Sequence, residues 1–503
     1  MAELYLGTAR ARLGPAAALI DIERGTVAAC EENRLTRAMD AAGAGAPDLA
    51  TTELLRFLDR RRDEVAIEAG VGDEGDIDPH EAHAEYAFRA SGFDDALVVV
   101  CEAHLARGWS AWAASQGSGI EEKGSGIRDQ GSVITQIETS LPDYPIAARY
   151  GELTESLGMR AMRDEHLVEA LARSGHQQAA STQRQLGDQL LELLAALKAH
   201  SPSERLCLSG GLFFNTYFTT LAATSGLFAQ TFIPPHPGRN GTALGGALLA
   251  SRDQRSGIRD QGSGGRDQGS GIRDQGLRRF SATVGSPFLG PSYSDAEIKS
   301  TLDNCKLSYD FIQGDRLIEQ VIHALSRGRL VGWHHGRLEW GPRALGHRSV
   351  LANPFAPHAL DNLNGFLKRR PAYRSYGVSV PLSRLHELFE GIRDQGSGIG
   401  DQGSAPTASP FMQYEYTPRD LDKFRTILPE GVTTLRVQTV DQSEPRFLRL
   451  LDLWGQHSGM PVLVNTSFNG FHEPLVCSPR DAIRVFYGTG LDVLALEDFW
   501  LRK

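Results

Sequence analysis

The 503-residue sequence has little that is typical of an exported, membrane-bound or nucleic-acid-binding protein. Its five cysteines are odd in number and far apart, so they predict neither a disulfide framework nor a metal pair, and we interpret them as reduced core residues. No apolar run approaches membrane-spanning length, and the N-terminus lacks the shape of a signal peptide. Acidic residues outnumber basic ones, 62 to 52, which disfavours nucleic acid as a partner. We therefore expect a cytoplasmic protein that binds neither membrane nor nucleic acid.

The composition that is present is ordinary for a globular protein, with 41% hydrophobic and 23% charged residues. A chain of this length is too long for one core, so two domains are expected. The composition changes near residues 278–290, and we place the boundary there, giving domains of residues 1–280 and 281–503. Short apolar runs alternate with helical patterns along the chain, which predicts α/β domains.

Three tracts built from the unit SGIRDQG interrupt this pattern. Each unit has one apolar residue and two glycines, so the seven-residue period cannot form a coiled-coil seam. Glycine, serine and charge without core residues predict flexible surface loops, to which we assign no function. The tracts occupy residues 117–131, 251–276 and 391–404.

The segment GRLEWGPRALGHRS, residues 336–349, has the densest set of functional residue types. Arg337, Arg343 and Arg348 can each meet a phosphate or carboxylate with two hydrogen bonds, and Glu339 stands between them. The neighbouring glycines allow the backbone to approach a ligand. The segment indicates an anion site, with a solvated basic turn as the plainer alternative.

This segment is similar to the signature GRMEFGPRALGNRS of the O-carbamoyltransferase family, which includes nodulation and antibiotic-tailoring enzymes. PVLVNTSFNGFHEPLVCSPRD at residues 461–481 and LNGFLKRRPAYRSYGVSV at 363–380 resemble two further family blocks. The resemblance implies a C-terminal α/β domain that joins carbamoyl phosphate to ATP as carbamoyl-adenylate. It also implies that these substrates are bound by the four residues above together with Lys368, Arg370, Arg374, Asn465, Thr466, Ser467 and Asn469.

LSGGLFFN at residues 208–215 and GTALGGALLA at 241–250 resemble the family's N-terminal domain, which has an actin-like ATPase fold. The resemblance implies that Gly210, Gly211, Asn215 and Gly241 line a nucleotide site. A tight turn followed by a small-residue helix packed on a sheet would explain the same glycines.

The family's catalytic His-Asp-Ser cluster is replaced here by Leu13, Gly14 and Pro15, whose side chains cannot act as a base or a ligand. The family also holds an iron-type divalent metal in this domain. His80, His83 and Glu102 could bind one, because histidines three apart share a helix face. Pro79 stands where the first family histidine is expected, however, and Arg239 replaces a metal-side Asp.

The resemblance therefore predicts an enzyme that transfers carbamoyl from carbamoyl phosphate, with ATP, to a hydroxyl of a small-molecule acceptor. The losses in the N-terminal domain keep a second interpretation open, a catalytically impaired relative that binds nucleotide or carbamoyl phosphate or acts as a partner protein. An actin-like ATPase or sugar kinase would rest on fold alone. The acceptor is not indicated by the sequence, and a homodimer is left open.

Overall fold

The computed structural model describes residues 4–9, 15–38, 46–72, 77–103, 108–116, 133–257, 283–391 and 408–503. Within these residues the chain is a mixed α/β protein with three sheets, so the predicted α/β class is confirmed. We call residues 4–257 the N-terminal half and residues 283–503 the C-terminal half. Leu13, Gly14 and most of the three repeat tracts lie outside the described residues.

The first sheet is a three-stranded antiparallel meander extended by one parallel strand. Its three antiparallel strands are buried almost throughout, because small and apolar residues fill both faces, whereas the parallel strand is partly exposed. In spatial order the strands are Thr26–Glu31, Ala16–Asp21, Leu4–Ala9 and Val65–Val71.

The second sheet completes the N-terminal half. Its central strand contains three consecutive valines and is parallel to the strand that leads into the glycine turn at residue 210. In spatial order the strands are Val133–Gln136, Trp109–Ser115, Asp95–Cys101, Arg205–Ser209 and Gln230–Phe232.

The third sheet takes all its strands from the C-terminal half. Ten strands of mixed direction place the ends of the sequence motifs side by side at the centre of the sheet. In spatial order they are Asp310–Phe311, Phe499–Arg502, Val493–Leu496, Val331–His334, Arg348–Ala352, Leu463–Ser467, Gly377–Pro381, Leu435–Val440, Glu415–Pro418 and Phe389–Gly391. The domain boundary proposed near residue 280 stays a prediction.

Helices cover the sheets, and several begin at a side-chain cap that the sequence encodes. Ser294 and Ser478 form capping boxes with Glu297 and Asp481, and Asp78 caps the helix that begins at Pro79. The α-helices are Glu32–Thr36, Asp48–Leu58, Pro79–Ser91, Ile146–Ser156, Glu165–Arg173, Gln177–Lys198, Thr216–Thr224, Thr242–Gly257, Asp295–Asn304, Asp315–Ser326, Ala359–Asp361, Leu385–Leu388, Pro445–Ser458 and Pro479–Gly488. Single turns of 3-10 helix occur at Arg62–Glu64, Gly211–Phe214, Arg239–Gly241, Leu382–Arg384 and Leu421–Phe424, and Asn362–Lys368 is a π-helix.

The prediction for the second repeat tract was wrong at its beginning. Residues 251–257 continue the helix Thr242–Gly257 instead of forming a loop. Ser251 is buried and donates to the Leu248 carbonyl, and Arg252 pairs with Glu81 at 3.1 Å. A helix already nucleated upstream extends through these residues because each further residue adds a hydrogen bond.

The two halves are packed against each other. Trp340 of the C-terminal half is 1% exposed and lies in a core cluster with Tyr86 and Leu244 of the N-terminal half. Arg34 donates to the Gly341 carbonyl at 2.9 Å, so the GPRALG segment is held by both halves. Among the helices of the described residues, none has the length and apolar character needed to cross a membrane.

Candidate functional site

Glu339 organises the loop between the strands Val331–His334 and Arg348–Ala352. Its Oε1 accepts the backbone N–H groups of Leu345, His347 and Arg348 at 2.9–3.0 Å. The carboxylate is 3% exposed, so it replaces the backbone partners that this irregular loop otherwise lacks. Glu339 thus shapes the loop that presents Arg343.

Arg348 and Arg337 use their guanidinium groups inside the protein. Arg348 is fully buried and donates to several backbone carbonyls, among them His335 at 2.7 Å and Gly336 at 3.0 Å. Arg337 donates to the carbonyls of Gly290 and Val27 at 3.0 and 2.9 Å, which ties the loop to the first sheet. In this structure both residues therefore hold the loop in place.

Lys368 joins two of the sequence motifs. Its amine is 3% exposed and donates to the Ser467 carbonyl, to the Asn469 side-chain oxygen and to the Asn469 carbonyl, the last at 3.1 Å. Burial, and then the nearby cations Arg370 and Arg374, hold its pKa well below the usual value of a lysine. The structure therefore brings together Lys368, Ser467 and Asn469, and their role in substrate binding stays a prediction.

The apolar run of residues 462–464 by itself predicts a strand that ends before Asn465, and the structure shows that this prediction is wrong. The strand is Leu463–Ser467, because it pairs antiparallel with Arg348–Ala352 through to its last residue. Asn465 is buried and donates to Ser379 Oγ and Gln438 Oε1, each at 3.0 Å. Its own Oδ1 is buried without a hydrogen-bond partner.

Arg343 belongs to a group of cations that sequence reasoning only partly found. We call it the arginine cluster, and it lies between the helix Glu165–Arg173 of the N-terminal half and the third sheet. Charge interactions connect its members, and two carboxylates accompany them. The cluster consists of Arg173, Arg343, Lys368, Arg370, Arg374 and Arg436, with Glu169 and Glu415.

Glu169 is the main counter-ion in the cluster. It pairs with Arg173 at 2.8 Å and with Arg436 at 3.6 Å. Burial acts to raise its pKa, but the cations Arg173, Arg436 and Arg343 outweigh burial and hold the pKa at about 2. Glu169 is therefore ionised at neutral pH.

The cations nevertheless outnumber the carboxylates. Burial, and then Arg370, lower the pKa of Arg374 to about 9, and burial and Arg343 hold the pKa of Arg436 well below its ordinary value. Among the described residues, the Arg374 side chain has no hydrogen-bond partner, and Arg343 donates once, to the Phe214 carbonyl at 2.8 Å. Crowded, partly buried guanidinium groups of this kind favour the binding of an anion.

A cavity of about 490 Å³ adjoins the cluster. Glu169, Arg173 and Glu415 form its wall on the cluster side, and Gln183, Arg184 and Tyr217 belong to the N-terminal half. Motif matching missed four residues of the cluster, which stand in segments without a functional motif: Arg173, Arg436, Glu169 and Glu415. Arg436 lies in the alternation of residues 435–438, which indicates a strand but not a site.

The glycines predicted to line a nucleotide site have close contacts inside the protein. Gly210 has a φ of 107°, and a Cβ there would lie 2.1 Å from the Cys101 carbonyl oxygen. The N–H of Gly211 donates to Glu102 Oε1 at 2.7 Å, and a Cβ on Gly241 would lie 2.1 Å from the His236 carbonyl oxygen. Asn215 caps the helix Thr216–Thr224. These contacts explain the four residues by packing, and their nucleotide role stays a prediction.

His80 and His83 lie on one face of the helix Pro79–Ser91, as their spacing predicted. His80 Nδ1 is hydrogen-bonded to Ser110, His83 Nδ1 lies 3.0 Å from Ser209 Oγ, and His83 Nε2 lies 3.3 Å from Glu102 Oε1. Burial, and then the neighbouring His83, lower the pKa of His80 to about 4. Within the described ranges no group of three His, Cys, Asp or Glu side chains is arranged to hold a metal ion. A metal-binding role of His80, His83 and Glu102 stays a prediction.

Of the residues at the family's His-Asp-Ser positions, the structure describes Pro15 only. Pro15 is buried, and its carbonyl accepts the N–H of Glu32 at 2.9 Å. It therefore serves as a backbone contact beside the first sheet.

Comparison with known proteins agrees with the motif resemblance. An uncharacterised protein of Synechocystis sp. is 32% identical over 60% of this chain and 48% of its own length. The nodulation protein NolO of Bradyrhizobium diazoefficiens is 27% identical over 84% of this chain and 78% of its own length. The 3'-hydroxymethylcephem-O-carbamoyltransferase of Amycolatopsis lactamdurans is 27% identical over 63% of this chain and 53% of its own length. The chain thus spans about half the length of the first and third of these relatives.

Solved structures are less similar. An activator of the 2-hydroxyisocaproyl-CoA dehydratase from Clostridium difficile, with bound ADPNP, aligns over 52% of this chain and 98% of its own, at 11% identity and a TM-score of 0.30. The family evidence is more specific. Residues 138–248 match the family model described as carbamoyltransferase N-terminus, and residues 322–503 match the one described as carbamoyltransferase C-terminus. This chain belongs to the carbamoyltransferase family.

Proposed function

We propose that the arginine cluster binds carbamoyl phosphate and ATP, and that the protein converts them to carbamoyl-adenylate for transfer to a hydroxyl of a small-molecule acceptor. Membership of the carbamoyltransferase family supports the carbamoyl part of this proposal. The Amycolatopsis relative is named as an O-carbamoyltransferase, which supports a hydroxyl acceptor.

The observation that carries the proposal is the excess of cationic side chains in the cluster. Six arginine and lysine residues are accompanied by two carboxylates, and burial lowers the pKa values of Lys368, Arg374 and Arg436. A bound phosphate group would supply the missing negative charge and stabilise the charged forms of these side chains. Carbamoyl phosphate and the ATP triphosphate are both anions of this kind.

The chemistry of adenylate formation fits such a site. Water first hydrolyses carbamoyl phosphate to carbamate and inorganic phosphate. A carbamate oxygen then attacks the α-phosphorus of ATP, and pyrophosphate leaves. Negative charge is concentrated on the transferring group and on the leaving pyrophosphate. Arg343, Arg374 and Arg436 would neutralise that charge, and Lys368, whose amine is held by Ser467 and Asn469, would add its positive charge near the same anions.

The alternative is a relative that binds these anions without transferring carbamoyl. It is favoured by the residues at the family's His-Asp-Ser positions, and by Pro79 and Arg239, which stand where the family has a ligand histidine and a metal-side Asp. In this alternative the N-terminal half would serve as a structural scaffold or as a surface that binds a partner protein.

One experiment separates the two. The protein is incubated with ATP and labelled carbamoyl phosphate without an acceptor, and pyrophosphate is measured. Release of pyrophosphate that is lost in Arg374→Gln supports adenylate formation. Tight binding of carbamoyl phosphate without pyrophosphate would support the binding-only relative, and absence of both would refute the assignment of the cluster.

A further inference from the structure

His347 closes the loop that carries Arg343. Its ring Nδ1 lies 2.6 Å from the Arg337 carbonyl oxygen, and its Nε2 lies 2.7 Å from Glu444 Oε2. The first contact joins the two ends of the loop, because Arg337 stands near its beginning and His347 near its end. The second contact fastens the loop to the residue that precedes the helix Pro445–Ser458.

Together these two contacts require a charged imidazole ring. A carbonyl oxygen only accepts hydrogen bonds, so Nδ1 must carry a proton and donate it to Arg337. An ionised carboxylate also only accepts, so Nε2 must donate to Glu444. The shared proton belongs on the ring, because imidazole is ordinarily a stronger base than a carboxylate. His347 is therefore an imidazolium that is paired with the Glu444 carboxylate, and we call the two groups the imidazolium pair.

The His347 ring is enclosed by its neighbours. Its side chain is 8% exposed, and Phe288 stacks on one face with ring centroids 3.6 Å apart. A Cβ on Gly336 would lie 2.9 Å from the ring Cε1. The guanidinium groups of Arg337 and Arg348, on the same loop, donate to backbone carbonyls. The ring therefore has little room to turn away from its two partners.

Charged side chains of the neighbouring elements have partners of their own. His335 faces the ring edge-on, with centroids 5.5 Å apart, and is hydrogen-bonded to Glu497 at 2.5 Å. Burial acts to raise the pKa of Glu497, but the hydrogen bond and charge of His335 outweigh burial and hold the pKa at about 2. Arg446 lies 3.6 Å from the same carboxylate, and Glu339 accepts backbone N–H groups of the loop. Glu444 is therefore the carboxylate that balances the ring directly.

Two contacts connect this loop to the strand Leu435–Val440, which carries Arg436 of the arginine cluster. Gln438 on the strand donates to the Leu345 carbonyl at 2.7 Å. The imidazolium pair is the second contact, since its carboxylate stands shortly after the end of the strand. Both contacts hold Arg343 close enough to Arg436 for the two guanidinium groups to interact by charge.

We propose that His347, in its imidazolium form, is a positioning residue that holds the loop of Arg343 in the shape that anion binding by the arginine cluster requires. This inference rests on the proposed function, which assigns anions to the cluster. When the ring loses its proton to solvent, one ring nitrogen faces an acceptor oxygen without a hydrogen atom, and that contact becomes repulsive. The contact is thus present below the pH at which the ring titrates and is lost above it.

The first measurement is the titration of the His347 ring in the intact chain, by NMR of ¹³C-labelled histidine. His347→Asn identifies its signal, because that signal disappears in the variant. Glu444→Gln keeps the ring and removes the carboxylate, so it should move the midpoint of the ring titration to lower pH. An identical midpoint in wild-type protein and Glu444→Gln would refute the imidazolium pair.

The second measurement is the Kd of inorganic phosphate, by calorimetry, at pH values below and above that midpoint. Comparison of wild-type protein and His347→Asn at the same pH cancels the ionisation of phosphate itself. We expect the variant to bind phosphate about tenfold more weakly below the midpoint and about equally above it. His457 is exposed on the helix Pro445–Ser458, so His457→Asn is the matched control and should behave as the wild type.

A Kd ratio that stays the same on both sides of the midpoint would overturn the proposal, because it describes a structural role that does not depend on the proton. Absence of phosphate binding by the wild-type protein at every pH would refute the proposed function, and with it the role of His347 in binding. The Glu444→Gln titration would then still decide whether the imidazolium pair exists. If His347→Asn does not fold, Glu444→Gln replaces it, and it should bind phosphate more weakly than the wild type between the two midpoints.

Discussion

Arg374 provides the sharpest test of the arginine cluster, because substitution should have opposite effects on stability and on binding. Its pKa is lowered from 12.5 to about 9 by burial and then by the neighbouring Arg370. A difference of this size corresponds to a cost of the charged form on the order of 5 kcal/mol, which solvent screening reduces. Arg374→Gln removes that cost. It breaks no hydrogen bond, because the Arg374 side chain makes none within the described residues.

We therefore expect Arg374→Gln to leave the ligand-free protein as stable as the wild type or more stable by about 1–2 kcal/mol. The affinity for phosphate ligands should fall. Loss of a charged hydrogen-bond donor to phosphate costs about 1.5–3 kcal/mol, which is about a 10- to 150-fold rise in Kd. Calorimetry with carbamoyl phosphate and with inorganic phosphate measures the Kd, and thermal unfolding measures the stability.

Arg446→Gln is the matched control. Arg446 pairs with Asp498 at 2.7 Å and is not a member of the cluster, so its substitution should lower stability slightly and leave the Kd unchanged. Wild-type protein should also gain stability with ligand, by about 2.7 kcal/mol at one hundred times the Kd, and Arg374→Gln should lose most of this gain. A less stable Arg374→Gln protein with an unchanged Kd would refute the reasoning and make Arg374 a structural residue.

Four further outcomes can be checked. Glu169→Gln should destabilise the protein at pH 7, on the order of 3 kcal/mol, because the carboxylate pKa is lowered from 4.5 to about 2. The stabilisation by the ionised carboxylate is complete above pH 4.5 and is lost as the pH falls toward 2. Urea unfolding against pH tests this, and a wild-type–variant difference that stays constant from pH 7 to pH 2.5 would contradict it. Lys368→Ala should weaken carbamoyl phosphate binding by about 1.5–3 kcal/mol with the protein still folded by circular dichroism; an unchanged Kd would remove Lys368 from the site. Deleting residues 258–276 should change the Tm little, whereas deleting residues 251–276 should lower it, because Ser251 and Arg252 belong to a packed helix. Equal melting temperatures of the two deletion variants would contradict a stabilising role of residues 251–257. Purified protein should contain little stoichiometric transition metal and transfer carbamoyl slowly, if at all; one metal per chain by elemental analysis, lost on His83→Ala, would restore the complete family site.

The sequence alone determined the features that depend on local pattern. The strands Ala16–Asp21 and Arg205–Ser209 are short apolar runs bounded by turn residues, a pattern that has few other structures. The helix Pro79–Ser91 begins at an aspartate cap with a proline in its first turn, and both are local features of the sequence. The motifs around Arg343, Lys368 and Asn469 were enough to indicate the family.

Only the tertiary structure decided which charged residues share a site. Glu169 and Arg436 are 267 positions apart in sequence and form an ion pair at 3.6 Å, because the fold brings a side chain of the helix Glu165–Arg173 within reach of one on the strand Leu435–Val440. Three arginines of similar sequence context also differ in their partners: Arg348 and Arg337 each donate to several backbone carbonyls, whereas Arg343 donates to one and interacts with the charges of the cluster. Charge and spacing cannot make that distinction, since it depends on which carbonyl oxygens the fold brings within reach of each guanidinium group.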